Sequence, residues 1–347
     1  MVWYGLNKLK EEDQPPKEIL HKFHGDYKMG IAREATQHIE VEKLLLLFEA
    51  NSISCMPLKG YLLKYLYPKP DMRRMTDVDI LAKRGQGKEI NKLMLAAGFQ
   101  LDHITTYHDV YIKKPFVNIE LHWTLIGKNS TYFNYFNKEW ERANLREGCS
   151  AVYEQSMEAF YIFMIVHLTK HFTSSGTGIR SIMDIWVYMQ HYDNLMDWDY
   201  VNKELGRLNL YQFACNIKEL AKVWFDGEPD NELYNEMTEY IASGSLYGTQ
   251  KNHVISIVNS RSLGKPSGIS YKLIYILSLI FPEEEKMKSK YPILNKLSIL
   301  YPFLWMLRGA EYIFLRPRDA YRKIKKLDAV TGKDIDKGYE FFKKVGL

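Results

Sequence analysis

The sequence predicts an α+β protein in which a mixed sheet with flanking helices is followed by an all-helical region. Between residues 51 and 127, short apolar runs and alternating patterns typical of strands are interleaved with helical patterns. Beyond residue 151, apolar residues recur three and four positions apart, which is typical of packed helices. We therefore expect a helical segment over residues 1–50 that packs on the sheet domain, the sheet domain over residues 51–150, and a helical domain over residues 151–347.

The sheet domain is expected to follow one long helix over residues 16–50, which begins after two prolines. Strands are predicted at residues 53–58, 77–81, 106–113 and 117–125, and helices at residues 61–67 and 88–97. Gly98 after the second helix is a C-cap signal, and Pro115-Phe116 predicts a hairpin between the last two strands.

The helical domain shows clear helical spacing over residues 160–171, 179–191 and 201–225. A segment rich in Gly, Pro and Ser at residues 263–268 predicts a loop that divides it. The longest strongly apolar stretch, residues 273–281, is far below the roughly 20 residues that span a bilayer. We interpret this stretch as a buried helix and expect no transmembrane segment.

Composition favours a globular, cytoplasmic protein. Of the 347 residues, 46% are apolar and 26% are charged, as in ordinary globular chains. The three cysteines, Cys55, Cys149 and Cys215, are too few for a disulfide framework and too far apart for a clustered metal site, which favours a reducing compartment. The first residues lack the apolar core of a secretion signal.

Positive charge is concentrated in the last part of the chain. The formal net charge is +5, but residues 286–347 contain 15 Lys and Arg against 6 Asp and Glu. Such asymmetry marks a surface for nucleic acid or an anionic membrane, or simply a solvated helical face. We favour the solvated face, so nucleic acid stays a possible but not favoured partner.

Three acids indicate the chemistry. Asp77 and Asp79 alternate on one predicted strand and therefore point the same way, and Glu120 lies on another strand. Three converging carboxylates are costly to bury unless cations join them, and hard oxygen ligands favour Mg²⁺ or Mn²⁺. The arrangement is typical of two-metal phosphoryl or nucleotidyl transfer. Because an Asp-x-Asp pair alone is common in solvated turns, its neighbours decide the interpretation.

Around these acids the chain reads Pro57-Leu58-Lys59-Gly60, Tyr67-Pro68, Arg73, Thr76-Asp77-Val78-Asp79-Ile80-Leu81 and Glu120-Leu121-His122-Trp123. This order of motifs resembles the uncharacterised nucleotidyltransferase family of the DNA polymerase beta-like superfamily, over roughly residues 40–190. That family has an apolar-Leu-Lys-Gly element, a Tyr-Pro loop, an Arg before Asp-x-Asp, and later an acid-apolar-His-Trp segment. The resemblance implies a nucleotidyltransferase-fold sheet domain.

The resemblance also implies an enzyme that moves a nucleoside monophosphate from an NTP, such as ATP, to an acceptor and releases pyrophosphate. Asp77 and Asp79 would bind both metals, and Glu120 would hold the catalytic metal and help to deprotonate the acceptor. The superfamily more often has aspartate at the third position, and Glu120 lengthens the reach of that carboxylate. The sequence leaves the acceptor open among a small molecule, a sugar, a protein side chain and an RNA end.

Nucleotide-binding residues are expected at the turn after the first strand. The superfamily commonly has Gly-Ser there, whereas this chain has Gly60-Tyr61, so Lys59 or the amides of Gly60 and Tyr61 must replace the serine contact. Lys59 is expected to neutralise the outer phosphates, the alternative being a surface lysine at a strand end. Arg73, in the loop before the Asp-x-Asp strand, is a comparable candidate.

Three histidines are further candidates for nucleotide binding. His122 shares its strand face with Glu120, so it could be a metal ligand, a base, a ribose contact, or a half-buried histidine bonded to the backbone. His167 and His171 are one helical turn apart, but without an adjacent glutamate they do not form a zinc-protease motif. In the fold that the resemblance implies, their helix could lie against the nucleotide cleft, where His167 or His171 would contact the base or the acceptor.

Two alternatives belong to other functional classes. One is a catalytically silent nucleotide-binding regulator, against which the complete set of three acids argues. The other is a nucleic-acid-binding module that uses the basic C-terminal segment, whose binding would have to weaken with salt.

Overall fold

The computed structural model describes residues 1–174, 176–244, 250–261, 270–282 and 284–347. The chain divides into two compact units, Met1–Phe160 and Tyr161–Leu347. The first unit contains a mixed sheet with helices and the second is largely helical, which confirms the predicted α+β class. The finer division at residues 50 and 150 stays a prediction, and the predicted loop at residues 263–268 lies outside the described residues.

Within the described residues, two sheets are formed by β1 (Cys55–Pro57), β2 (Val78–Ala82), β3 (Gln100–Ile104), β4 (His108–Lys113), β5 (Val117–His122), β6 (Asn144–Leu145) and β7 (Tyr153–Glu154). The first five strands build one sheet in the order β1-β2-β5-β4-β3, and β6 pairs with β7 separately. Strands β2 and β5 run parallel, whereas the other neighbours in the larger sheet are antiparallel. The parallel pair makes the sheet mixed, as predicted.

The helices of the first unit are α1 (Val2–Leu6), α2 (Lys17–Ala50), α3 (Gly60–Leu63), α4 (Gly87–Ala96), α5 (Phe133–Phe136) and α6 (Glu139–Arg142). The long helix predicted over residues 16–50 is therefore present as α2. Alternate residues of the two central strands, Val78, Ile80, Ile119 and Leu121, are fully buried in one core with apolar side chains of α2 and α4. The main core thus covers one face of the sheet.

The opposite face of the central strands carries polar side chains. Asp79 and Glu120 alternate with the core residues and therefore point to this second face. A smaller apolar cluster lies on the same face and is formed by Met56, Leu58 and Leu81. Since Leu81 pairs with His122 across the sheet, this cluster borders the polar group.

Strand β3 departs from the sequence prediction, which has no strand at residues 100–104. All five of its residues are exposed, and it lies at one edge of the sheet. A strand without a buried face gives no alternating apolar pattern, so its position depends on pairing with β4.

The remaining helices are α7 (Met157–Ser174), α8 (Ile179–Tyr192), α9 (Trp198–Arg207), α10 (Tyr211–Phe225), α11 (Glu232–Gly244), α12 (Gln250–Arg261), α13 (Ser270–Ile280), α14 (Glu284–Lys290), α15 (Tyr301–Ala310), α16 (Pro317–Lys325) and α17 (Gly332–Val345). The single helix predicted over residues 201–225 is wrong, because the chain turns between α9 and α10. Asn209 has a φ of +56° at this turn, a left-handed conformation that asparagine tolerates and a helix does not continue through.

Helix α13 covers most of the apolar stretch at residues 273–281, but it is not the buried helix that the sequence predicts. Tyr275 is buried, whereas Leu273, Leu277 and Phe281 are each at least 40% exposed. Across the described part of the chain, none of the helices combines the length and apolarity that crossing a membrane requires.

The C-terminal end of α2 is joined to the return loop at residues 149–152 by one carboxylate. Glu49 accepts hydrogen bonds from the backbone N–H groups of Ser150 (2.6 Å), Ala151 (2.9 Å) and Val152 (3.1 Å). The carbonyl of Ala151 in turn accepts from the N–H of Cys55 at the start of β1. These hydrogen bonds, led by those from Ser150, lower the pKa of Glu49 to about 2.

We expect Glu49→Gln to be less stable than the wild type at neutral pH, and the difference to shrink in acid. A lowered pKa means that Glu49 stabilises the fold above its unfolded pKa of about 4.3, and that this contribution is lost as pH falls towards 2. Urea unfolding between pH 7 and pH 3 measures the difference. The exposed Glu147→Gln is the matched control, and a pH-independent difference for Glu49→Gln would contradict the assignment.

Candidate functional site

Parallel pairing of β2 and β5 places two acids side by side on the open face of the sheet. Asp79 is the register partner of Glu120, and Leu81 is the partner of His122. Residues two apart on a strand share a face, so Asp79, Glu120 and His122 all point the same way. Two of the three predicted acids are thus neighbours although they are 41 positions apart in the sequence.

His122 lies between the two carboxylates. Its Nε2 is 2.7 Å from Asp79 Oδ1 and 3.6 Å from Glu120 Oε2. One ligand atom from each of these three side chains lies within 4.8 Å of the other two, and all three residues are half-buried. Such a group of two oxygens and one nitrogen has the donors and the spacing that a divalent cation requires.

Asp77 lies beside this group of three, at the position just before β2. Burial raises the pKa of Asp77, and the negative charges of Asp79 and Glu120 raise it further. The charge of Lys59 acts in the opposite direction. Asp77 therefore belongs to the same electrostatic cluster as the two adjacent acids.

Lys59 stands at the turn between β1 and α3 with an unusual backbone. Its φ of +34° falls in the region that residues with a side chain rarely adopt, and such strain persists only where surrounding structure imposes it. Its carbonyl accepts from the N–H groups of Leu62 and Leu63, which begins α3. Its Nζ is 3.5 Å from Asp79 Oδ2, so this strained turn places the ammonium group of Lys59 beside the carboxylate of Asp79.

Gly60 allows the side chain of Arg73 to approach the same turn. A Cβ atom on Gly60 would lie 2.7 Å from Arg73 Nη1 and 3.0 Å from the sulfur of Met75, so any other residue would displace them. Arg73 is 9% exposed, which is rare for an arginine and shows that it is held in place. The Lys59-Gly60 turn and Arg73 therefore pack against each other.

Tyr61 turns its side chain away from the acids. The ring is buried in the main core, and its hydroxyl donates to Glu42 at 2.6 Å on α2. Its N–H donates to the carbonyl of Leu58 at 3.3 Å within the turn. What Tyr61 contributes in this structure is therefore the anchoring of α3 to α2.

His108 joins the site and is absent from the sequence prediction. It lies on β4 directly opposite His122, with the two ring centroids 5.1 Å apart, and its Nε2 is 3.9 Å from Glu120 Oε2. A signal for it was present, because a hairpin centred on Pro115 pairs position 108 with position 122. Using that signal requires the hairpin register, which depends on the turn geometry.

Protonation in the site is divided unequally among the histidines. Burial disfavours the charged ring of His122, but hydrogen bonds to Asp79 and Glu120 outweigh it and raise the pKa of His122. The same bond from His122 lowers the pKa of Glu120 despite its burial. Burial and the charge of His122 lower the pKa of His108. The two histidines are therefore shifted in opposite directions, His122 towards its protonated form and His108 towards its neutral form.

His167 and His171 lie on α7 and belong to the second unit. Their Nε2 atoms are 3.1 Å apart, so one ring donates to the other. The predicted shared face of this helical turn is therefore present. Their role in a nucleotide cleft stays a prediction.

Comparison with known proteins places the chain in a sequence family. A family model described as "Uncharacterised nucleotidyltransferase" matches residues 1–226, which is more than half of the chain. No curated protein matches the chain significantly. Among solved structures, the solution structure of the antibiotic-resistance factor ANT(2'')-Ia aligns over 46% of this chain and 85% of its own length, with 10% identity and a TM-score of 0.36. A likeness at this level supports no inference about function.

We expect Asp79→Asn to lower the pKa of His122 in the metal-free protein. Burial lowers the pKa of His122, and the Asp79 carboxylate raises it. Without the carboxylate charge the effect of burial is less opposed, so the pKa of His122 should fall towards or below the ordinary value of about 6.5. NMR titration of the His122 ring proton measures the change.

The wild-type pair should also stabilise the fold below the unfolded pKa of His122, and lose that effect as pH rises through the higher folded value. Asp102→Asn is the matched control, because Asp102 pairs with His103 on the exposed edge strand at 2.7 Å. An unchanged His122 pKa in Asp79→Asn would show that the 2.7 Å contact is not the cause of the shift.

Proposed function

The chain belongs to the family of uncharacterised nucleotidyltransferases, and from this premise we propose that it transfers a nucleoside monophosphate from an NTP to an acceptor and releases pyrophosphate. The single observation that carries the mechanism is the register pairing of Asp79 with Glu120 on parallel strands. Both carboxylates face away from the main core, on a surface that also presents Lys59. The two carboxylates can bind the metal ions that accompany a triphosphate, and the ammonium group of Lys59 on the same face can bind its phosphates.

The donor set fits a divalent cation. Asp79 and Glu120 offer adjacent carboxylate oxygens, and Asp77 adds a third negative charge beside them. Hard oxygen donors favour Mg²⁺ or Mn²⁺, and a nitrogen donor from His122 is more usual with Mn²⁺. When bound, such ions neutralise charge on the triphosphate and on the oxygens of the bond that breaks.

Lys59 and Arg73 are proposed to bind the nucleotide phosphates. The Nζ of Lys59 lies 3.5 Å from Asp79 Oδ2, which is a long distance for an ion pair, and we propose that a phosphate oxygen competes for this ammonium group. Arg73 is fixed against Gly60, which keeps its guanidinium at the turn where the phosphates are proposed to lie. Gly60 has no side chain, and this permits the close approach of the Arg73 guanidinium to its backbone.

Protonation of His122 and cation binding compete for the same carboxylates. His122 donates to Asp79 and lies near Glu120, the two acids that are proposed to hold the cation. Metal binding to such a site releases protons and therefore strengthens as pH rises. Glu120, with its lowered pKa, stays ionised at neutral pH and is proposed to help deprotonate the acceptor.

The acceptor is proposed to be a small molecule, a sugar, a protein side chain or an RNA end. We assign its selection to the second unit, with His167 and His171 on α7 as candidate contacts. A cytoplasmic location is part of the proposal, supported by the free thiols of the three cysteines, of which Cys55 is buried.

Incubation of the full chain with each labelled NTP, Mg²⁺ and fractions of cell lysate tests the proposal. Transfer of the label to a recoverable acceptor with release of pyrophosphate is the expected result, and it identifies donor and acceptor together. Metal-dependent NTP binding with no pyrophosphate from any fraction would favour the silent regulator instead.

Asp77→Asn is expected to abolish metal-dependent turnover while the unfolding temperature stays the same or rises. The pKa of Asp77 is raised by burial and by the neighbouring acids, so its ionised form is unfavourable in the fold and an amide removes that cost at neutral pH. Pyrophosphate release and metal-free thermal unfolding are the measurements. Asp102→Asn should change neither, and a strongly destabilised Asp77→Asn would indicate a structural aspartate.

Lys59→Ala is expected to weaken binding of an NTP with Mg²⁺ by about tenfold or more, and to change binding of the corresponding monophosphate little. The lysine is assigned to the outer phosphates, which the monophosphate lacks, and a charge-assisted contact contributes roughly 1.5–3 kcal/mol. Calorimetric titration of both nucleotides measures this difference. Lys88→Ala on α4, whose apolar side chains join the opposite face of the sheet, is the control. Equal losses for both nucleotides would assign Lys59 another role.

A further inference from the structure

The last part of the second unit exposes an unusual number of large apolar side chains. Among the described residues of this part, six without a polar group form what we call the apolar surface and are each 60% to 81% exposed: Ile299, Phe303, Met306, Leu307, Phe314 and Leu315. Soluble proteins seldom expose large apolar side chains in such a group unless the surface binds something. All six lie beyond residue 226, where the family match ends.

The spacing of these residues places them on one side of a helix. Positions 303, 306 and 307 are three and four residues apart on α15, the spacing of a single helical face, and Ile299 lies on the short 3-10 helix Ser298–Leu300 just before it. Phe314 and Leu315 follow on the π-helical turn Glu311–Leu315. The apolar surface is therefore continuous along the chain.

A packed layer lies beneath the exposed side chains, so the segment is a folded surface. Tyr275 on α13 is buried and donates from its hydroxyl to the carbonyl of Lys323 on α16 at 3.4 Å. Phe281 packs edge-on against Trp305 of α15 with ring centroids 5.3 Å apart. Met287, Leu294 and Leu327 are also buried. The segment thus has its own inner apolar residues, and those of the apolar surface are additional.

Basic side chains follow the apolar surface directly. Four exposed cations on and before α16 are Arg316, Arg318, Arg322 and Lys325. Arg316 pairs with Glu311 at 3.3 Å and Arg322 with Asp319 at 3.8 Å, but such exposed pairs are weak and exchange readily for other anions. The segment therefore presents large apolar side chains and positive charge together.

We propose that this segment docks the protein on the surface of an anionic lipid bilayer. The apolar surface would enter the boundary between headgroups and acyl chains, while the cations of α16 contact lipid phosphates. Nucleic acid fits less well, because four of the six side chains of the apolar surface lack a ring and offer neither stacking nor hydrogen bonds to bases, the rings of Phe303 and Phe314 being the exceptions. The proposal is independent of the catalytic one, because it uses none of the site residues.

Sedimentation of the full chain with vesicles tests docking. With vesicles of phosphatidylcholine containing about a third phosphatidylglycerol, we expect binding that weakens by tenfold or more as salt rises, since the phosphate contacts are screened. Pure phosphatidylcholine vesicles should bind at least tenfold less. Equal binding to both vesicles, or none to either, would overturn the proposal.

Two variants separate the apolar from the charged contribution. The triple variant Phe303→Ser, Leu307→Ser and Leu315→Ser should lose vesicle binding, whereas the equally exposed Leu195→Ser in the same unit should keep it. Arg318→Glu with Arg322→Glu should lower affinity for anionic vesicles at least tenfold and flatten its salt dependence. Exposed Lys203→Glu is the control for charge.

Other occupants of the surface would be recognised by the same variants. One such outcome is that, by light scattering, the wild type is a dimer and the triple serine variant is a monomer. If the wild type then also binds no vesicles, the apolar surface pairs two copies of the chain and lipid docking is overturned. If the charge variant loses RNA binding and vesicle binding is absent, the segment binds nucleic acid. NTP binding, measured in parallel, should be unchanged in every variant, so the outcome for docking leaves the catalytic proposal untouched.

Discussion

The parallel pairing of β2 with β5 is the constraint on which the site depends. It sets Asp79 beside Glu120, and it sends both carboxylates to the face that the main core leaves open. A shift of one residue in either strand would bury one acid among the apolar side chains below and expose core residues in its place. The fully buried residues on the core face therefore fix the geometry of the acids on the other face.

Positively charged or proton-donating groups lie against the negative charge on that face. Lys59 reaches Asp79 from a strained turn, and the His122 ring lies 2.7 Å from Asp79 Oδ1 and 3.6 Å from Glu120 Oε2. The side chains of both pairs remain partly exposed, and the lysine contact is the longer of the two. The family membership of the chain and this arrangement both support the proposed chemistry, in which metal cations and nucleotide phosphates would take the place of these internal contacts.

The second unit contains two kinds of apolar residue, those that are buried in its interior and those that are exposed on its surface. Side chains such as Tyr275 and Met287 are buried and hold its last helices together, whereas Phe303 and Leu315 face outward. A sequence pattern alone treats both kinds as core, which is why the stretch at residues 273–281 looked like a buried helix. The charge asymmetry of the sequence is ordinary by itself. It supports lipid docking because exposed apolar side chains lie next to the basic segment.

The sequence by itself determined the α+β order of elements, the long helix α2, the Asp-x-Asp strand and the family resemblance, because apolar periodicity and short motifs are local properties. Only the tertiary structure decided what non-local pairing controls. It added His108 through the β4–β5 register, brought His122 within 2.7 Å of Asp79, and set Asp77 beside rather than within the tight group. Strand β3 was hidden for the same reason, since an edge strand with no buried face is stabilised by its partner and leaves no pattern of its own.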